Sequence, residues 1–539
     1  MPAGKTNRGA DALAKTLSEA GIARVFTLSG NHIMPVFDAA IDAGIELIHV
    51  RHEAAAVHMA DAHARLTGAP AVALVTGGPG HSNAASALYT ATLAESPVVL
   101  LSGHAPNAEL GMGAFQEMAQ ADVAAPLAKA SWTCRGADHV AADLRKALRL
   151  AASGRAGAVH LSLPTDCLEA VAASLPTDEA MRVQPLRHED AQSLSGRLAR
   201  AKRPLVLGGP STLTRRGRER MRALEEALGV PAIGMESPRG IADPSLGAFA
   251  EMLAQADCIL LLGKRLDFTL KFGRAPAIAA DCEFLQVDPE PHEIDRAARA
   301  VGGRLAVSAV AEVFEAIDAL VKAGKPAAPA WRDEVRAAVA YRPAAWDTAK
   351  SGVPDRLHAV EALRPLQAVL DSHPDAVFIS DGGEFGQWAQ ACLAAPHRII
   401  NGVAGPIGVG LPFAIGARVA KPGVPVVVVL GDGTFGFHPA EIDTAARYGL
   451  PFLAVVGNDA RWNAEYQIQL REYGAGRARG CELLPTRYDC VSEAFGGYGE
   501  CVTRAEEMTP AVKRALAANR PAVLNVMIEG NAAPVVRRT

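Results

Sequence analysis

The chain has 539 residues, 49% hydrophobic and 21% charged, which is apolar surface for about three packed cores and excludes a disordered protein. Lys and Arg number 54 against 58 Asp and Glu, a net charge of −4, so no basic excess marks a nucleic-acid or anionic-membrane partner. Residues 1–9 are polar, without the apolar core of a secretory signal. No apolar run reaches the roughly 18 residues that span a bilayer, and the eight cysteines are scattered with no C-x-x-C pair, so a reduced, cytoplasmic protein is expected.

Strand-like and helix-like runs then alternate along the chain. Residues 25–29, 71–76 and 98–102 read as short buried strands, with helical stretches such as 54–67 between them. That alternation predicts parallel sheets covered by helices on both faces. A first unit spans 1–174, and the stretch 174–187, which loses periodicity and carries two prolines, reads as a linker. A second unit, 188–324, has strands at 204–207, 258–262 and 284–287 and fades in the Ala/Pro-rich segment 325–330. A third, 354–539, has strands at 377–380, 426–430 and 452–456. The predicted fold class is α/β, with three doubly wound parallel-sheet domains. No short tandem repeat occurs, but the first and third units share a pattern of strand, Gly-rich turn, helix, strand.

The third unit carries the sharpest chemical signal. Strand 426–430 runs straight into Gly431-Asp432-Gly433, with a helix expected from about Pro439, a proline suited to the first helical position. Strand 452–456 ends in Gly457-Asn458-Asp459. Both acids therefore fall at C-terminal ends of parallel strands, the rim where open α/β sheets bind ligands. Glycines beside Asp432 let backbone approach a phosphate, and two side-chain oxygens with a carbonyl and diphosphate oxygens suit octahedral Mg²⁺. Taken alone, each is an ordinary turn with a solvated Asp.

Together, Asp432 and Asp459, 27 residues apart, resemble the G-D-G…N-N signature of thiamine-diphosphate (ThDP) enzymes. The resemblance implies metal ligation by Asp432, Asp459 and the backbone carbonyl of Arg461, with Asp459 replacing the family's usual second Asn. In the first unit, Arg51-His52-Glu53 opens the 54–67 helix. A carboxylate there is otherwise a helix start favoured by the dipole. The segment resembles the R-H-E segment of the acetolactate synthase and pyruvate oxidase branch. There the Glu bonds the ThDP aminopyrimidine and favours the tautomer that removes the thiazolium C2 proton, which implies a catalytic Glu53 in a water-poor site.

Further segments share the resemblance. Residues 76–83, TGGPGHSN, are similar to a T-S-G-P-G-x-x-N turn that contributes Pro79, and 113–117, GAFQE, to an A-F-Q-E segment that contributes Phe115 and Gln116. Lys129 falls where that branch also has Lys, and the resemblance makes Gln116 a catalytic candidate and Phe115, Lys129, Arg265 and Trp462 substrate candidates. Residues 405–412, GPIGVGLP, resemble G-x-M-G-x-G-L-P, which gives Ile407 the wedge that bends ThDP. Residues 381–384, DGGE, match the segment that approaches the diphosphate in relatives, which implies Gly383 and Glu384 as cofactor contacts. Glu53 then serves ThDP held by a neighbouring subunit, which implies a homodimer or homotetramer with sites between chains.

The departures bear on the reaction. Ile468 stands where acetolactate synthases carry an acceptor-selecting Trp, while Trp462 lies earlier. Arg265, in a segment like that family's Arg-Phe-Asp, is placed either to hold a substrate carboxylate or to make a domain–domain ion pair. His32, where benzaldehyde lyase-like relatives have His, and His81 are candidate proton shuttles, each otherwise a histidine bonded to backbone. The middle unit lacks a G-x-G-x-x-G turn, but Asp288 ends a strand as in relatives that bind FAD or ADP. The leading expectation is an acetolactate synthase-like carboligase and decarboxylase of 2-keto acids. The alternatives are a 2-hydroxyacyl-CoA lyase, an oxalyl-CoA decarboxylase or a benzaldehyde lyase-like 2-hydroxyketone lyase, acting on an acyl-CoA or aldehyde. From other classes, a nicotinamide dehydrogenase is disfavoured by the missing fingerprint, and a ThDP-fold binding protein without turnover by the intact Glu53.

Overall fold

The structure, a computed structural model, describes residues 7–173, 184–324, 326 and 329–538. Most of the expected linker (174–183) and residues 325, 327 and 328 of the Ala/Pro-rich segment lie outside the described residues.

Three parallel sheets organise the chain. The first contains β1 (Arg24–Thr27), β2 (Glu46–His49), β3 (Ala71–Val75), β4 (Val98–His104), β5 (Ala130–Thr133) and β6 (Val159–Pro164), in the order β2-β1-β3-β4-β6-β5. The second contains β7 (Pro204–Gly208), β8 (Ala232–Gly234), β9 (Cys258–Leu262), β10 (Glu283–Asp288) and β11 (Leu305–Val310), in the order β11-β10-β9-β7-β8. The third contains β12 (Val377–Ser380), β13 (His397–Ile400), β14 (Val426–Gly431), β15 (Leu453–Asn458), β16 (Tyr498–Val502) and β17 (Ala522–Met527), in the order β13-β12-β14-β15-β17-β16. The first and third sheets thus repeat one topology, the structural form of the pattern they share in sequence. Central strands such as AVALV of β3 and VVVVLG of β14 are apolar throughout because helices cover both faces. Among the described residues, no helix is long and apolar enough to cross a membrane.

The helix Glu53–Thr67 is buried along most of its length and packs on the helix Gly410–Ala420. Alanines on the first and Gly416 on the second permit a close approach: a methyl on Gly416 would lie 2.2 Å from the Met59 carbonyl oxygen. First- and third-domain residues consequently share one apolar core, from Phe26 and Met59 to Phe413 and Val428. The middle domain has its own cores, and the helix Pro329–Ala340, between the expected second and third units, adds Trp331, Val335 and Ala338 to one of them. Buried Arg155 joins first and middle domains, bonding Glu95, Asp288 (2.6 Å) and the Gly263 carbonyl (2.9 Å).

One local expectation is corrected. No helix begins at Pro439. A helical turn, Asp432–Phe435, starts at the aspartate itself, and the next helix is Glu441–Arg447. Pro439 sits in the turn before it, its carbonyl accepting from Ile442 N–H.

Candidate active site

A cleft forms on the C-terminal rim of the third sheet, and a cluster of candidate residues on that of the first. The third-domain cleft is lined by residues 382–385, Ile407, residues 431–434 and residues 457–465, except 458 and 460. It brings together Gly383, Glu384, Ile407, Gly431, Asp432, Gly433, Asp459, Arg461 and Trp462. The N-termini of the helices Gly383–Cys392 and Asn463–Tyr473 open onto it, so unpaired N–H groups and two positive dipole ends face the same space. That is a setting for a diphosphate.

Asp432 is buried. Its Oδ1 accepts from Gly433 N–H at 2.9 Å, whereas Oδ2 has no hydrogen-bond partner. Burial pushes its carboxyl up to about 6, against opposing backbone N–H groups that include Gly433, Arg461 and Ala460. Burial, and then the charge of Asp432, push Asp459 up to about 7. Two carboxylates lining one cleft, one with an orphaned buried oxygen, are costly without a cation near them. Hard oxygen donors at this spot fit Mg²⁺.

Ile407 is 39% exposed and points into the cleft rather than into a core. Its Cγ2 lies against Gly382, 2.6 Å from where a Cβ would be. Trp462 lies over Gly433 in the same way and meets Phe437 edge-on at 6.3 Å. Burial raises the Glu384 carboxyl, and Gln387 donates to it at 2.6 Å. Asp381, quoted above only as part of a segment, accepts from Gly382 N–H (2.6 Å) and Gly410 N–H (2.8 Å), tying the 405–410 loop to the strand end.

The first-domain cluster is assembled from the ends of β1, β2, β3 and β4. Glu53 is the first residue of its helix and 8% exposed. Asn83 Nδ2 donates to Glu53 Oε2 at 3.0 Å. Pro79 opens the helix Pro79–Leu93, and Asn83 stands four residues further along the same face. Glu53 Oε1 passes Gly80, 3.5 Å from where a methyl would sit. Gln116, with φ +58°, presses its backbone onto Gly78. Glu117 shapes this loop by accepting from Gly111 N–H (2.6 Å) and Ala114 N–H (3.1 Å). Phe115 is exposed and stacks on His32 at 6.1 Å. The His32 Nδ1 contacts Thr76 Oγ1 at 3.1 Å, and burial lowers its pKa.

Other sequence candidates lie elsewhere. His81 is fully buried, bonded to Ser102 (2.9 Å) and 4.5 Å from the His160 ring, and burial lowers it to about 4. Lys129 donates to the carbonyls of Leu150 (2.7 Å) and Ser153 (2.6 Å), capping the end of the helix Val140–Ala152 rather than facing a substrate. Arg265 pairs at 3.0 Å with buried Glu293, so its ion pair lies within the middle domain and not between domains. The carboxylate of Asp288 is engaged by Arg155. Among supporting residues, Asn83 and Gln120 received no role from the sequence. Gln120 accepts from Gly78 N–H and donates to Gly103 O, and nothing in its local sequence signals this.

Comparisons with known proteins agree with this architecture. Residues 7–123 match the family description "Thiamine pyrophosphate enzyme, N-terminal TPP binding domain", residues 192–320 the central domain, and residues 381–526 the C-terminal TPP binding domain. The chain is 31% identical over 542 residues to a probable acetolactate synthase of Mycobacterium bovis, covering 97% of this chain and 96% of that one. It is 32% identical over 556 residues to 2-hydroxyacyl-CoA lyase 2 of Homo sapiens (93% and 86% covered). To oxalyl-CoA decarboxylase of Escherichia coli K12 it is 31% identical over 552 residues (97% and 95% covered). In fold it is similar to the thiamine diphosphate-dependent 4-hydroxybenzoylformate decarboxylase of Rhodococcus jostii RHA1, with a TM-score of 0.82, 22% identity, and 97% and 99% of the two chains covered.

Proposed function

The chain belongs to the thiamine pyrophosphate enzyme family and is a ThDP-dependent enzyme, and on that premise we propose that it decarboxylates a 2-keto acid and joins the resulting fragment to a second carbonyl, with Mg²⁺ as the cofactor's anchor. The observation that carries the Mg²⁺ and diphosphate assignment is the orphaned, buried Oδ2 of Asp432 in a cleft that Asp459 and two helix N-termini also line.

When bound, ThDP supplies a carbon nucleophile and an electron sink. Asp432, Asp459 and the Arg461 carbonyl would hold the metal, and N–H groups at 383–384 and 463–465 would receive the diphosphate. Ile407, braced on Gly382, would give the cofactor an apolar support in the cleft. Glu53 would hold a proton at the aminopyrimidine ring nitrogen through the oxygen that Asn83 leaves free. His32, stacked on exposed Phe115, would exchange a proton with the substrate oxygen.

The third-domain cleft is lined by third-domain residues only, and Glu53 is not among them. Two copies related by a two-fold axis would bring each Glu53 to the other copy's cleft, and the exposed Phe115, Ile407 and Phe437 supply apolar contact around both. The minimum working unit is therefore a homodimer.

A second reading, a lyase of 2-hydroxyacyl-CoA or 2-hydroxyketone substrates, or an oxalyl-CoA decarboxylase, is favoured by the engagement of Arg265 with Glu293. That pair leaves no arginine at this position for a keto-acid carboxylate. A panel of 2-keto acids, 2-hydroxyketones, 2-hydroxyacyl-CoA and oxalyl-CoA, assayed with ThDP and Mg²⁺, separates the two. Turnover confined to acyl-CoA or hydroxyketone substrates would replace the first reading by the second.

A further inference from the structure

β2 is one of the two edge strands of the first sheet, so its outer backbone edge has no strand partner. Backbone groups left along such an edge need partners from elsewhere. One short stretch of the third domain, 441–448, supplies them in sequence. The Tyr448 hydroxyl accepts from His49 N–H and donates to the Leu47 carbonyl, both at 2.8 Å. Arg447 Nη2 donates to the His49 carbonyl at 2.6 Å. Glu441 Oε1 accepts from Arg51 N–H at 3.0 Å, while its Oε2 accepts from the Thr444 hydroxyl at 2.7 Å. Asp443 takes the Arg51 guanidinium at 3.3 Å.

These contacts run from Leu47 to Arg51 and stop two residues before Glu53. The brace is stiff at both ends. Glu441 is 1% exposed, and the Arg447 guanidinium lies over the Tyr448 ring at 5.3 Å. A buried carboxylate spent on a peptide N–H and a hydroxyl fixes direction in a way an apolar side chain would not.

We infer that Glu441 and Tyr448 are positioning residues for Glu53, clamping the outer edge of β2 and the 50–52 turn and so setting where the Glu53 carboxylate is presented. The inference rests on Glu53 being the partner of the cofactor's ring. It adds that the third domain of each chain, besides holding one cofactor's diphosphate, aims the carboxylate offered by its own first domain.

Three substitutions test this. Tyr448→Phe removes both hydroxyl bonds and keeps the ring under Arg447. Glu441→Ala removes the acceptor, and Glu441→Gln keeps an oxygen for Arg51 N–H. In the cofactor-free protein, amide hydrogen exchange of 47–53 followed by mass spectrometry should quicken in Tyr448→Phe and Glu441→Ala and stay as in the parent in Glu441→Gln. With ThDP and Mg²⁺ added, exchange of the ThDP C2 proton, read by NMR after acid quench, should slow about 10- to 100-fold in the first two variants. ThDP affinity should be unchanged, and Glu441→Gln should restore the rate. In a Glu53→Gln background, Tyr448→Phe should add no further slowing. Parent-like C2 exchange in Tyr448→Phe despite faster amide exchange overturns the inference, as does additive slowing in the Glu53→Gln background. If Glu441→Ala does not fold, Tyr448→Phe decides alone. Parent-like C2 exchange in Glu53→Gln by itself removes the premise instead, and is seen without touching 441 or 448.

Discussion

At the scale of single residues, the proposed function assigns binding to Asp432 and chemistry to Glu53. Glu53→Gln preserves shape and the bond from Asn83 but cannot carry the carboxylate's charge. ThDP should still bind, held by the third domain, while kcat falls about 10²–10⁴-fold, the usual weight of a general acid–base group. Steady-state kinetics beside calorimetric titration of ThDP check the split. Asp432→Ala removes the oxygen whose partner is missing without a metal, so Mg²⁺-dependent ThDP binding should be lost. Asp459→Asn retains an oxygen and removes one of the two charges lining the cleft, so binding should survive. Retention in the first variant with loss in the second would reverse the metal assignment. A reader of the sequence finds these acids because they follow glycine-bounded strand ends. Asn83 escapes notice because its meaning depends on what lies across a helix start.

At the scale of elements, the interface between helices Glu53–Thr67 and Gly410–Ala420 is the tightest constraint on the site, because the first of them carries Glu53. Gly416→Ala would place a methyl 2.2 Å from the Met59 carbonyl oxygen. Overpacking of this kind costs about 1–3 kcal/mol, so thermal unfolding should shift down, with a larger shift for Gly416→Val. The same interface buries His58, whose ring meets Phe413 edge-on and whose pKa is held down to about 3, chiefly by burial. An unfolded histidine titrates near 6.5. Between those values the unfolded chain takes the proton and the folded chain does not, so each step down in pH through that window favours unfolding. His58→Met removes this titration. Carboxyls raised by burial, such as Asp381 at about 6, act with the opposite sign and are common to both proteins. The variant should therefore gain on the parent as pH falls from 7 to 5. Parallel Tm profiles over that range would mean that His58 titrates alike in both states.

At the scale of the whole molecule, Glu53 and the Asp432 cleft lie on the rims of two sheets with one topology, joined by a shared core. Activity should accordingly depend on association. Sedimentation at decreasing protein concentration, with activity followed in parallel, should show specific activity falling as dimers dissociate, and a fully active monomer would refute the shared site. The middle domain enters this assembly through Arg155, one guanidinium holding Glu95 of the first domain and Asp288 of the second. Arg155→Ala leaves two buried carboxylates without their cation. Loss of one partner from a buried ion pair costs about 3–5 kcal/mol, and thermal unfolding reads that loss.

The sequence by itself determined the parallel α/β layering, because short apolar strands alternating with helical stretches bury both faces of a sheet under helices, and the resemblance of residues 431–433, 458–459 and 51–53 to thiamine-diphosphate enzymes carried the cofactor class, because each of those segments is contiguous in the chain and lies at a strand end. The tertiary structure alone decided which long-range partners each charged group takes. Lys129 closes a helix end and Arg265 meets Glu293, while His81 turns to the interior beside His160 and Ile407 turns out into the cleft. A local sequence reports what a side chain can bond. Which bond it makes depends on groups that arrive from hundreds of residues away, as residues 441–448 do at the edge of β2.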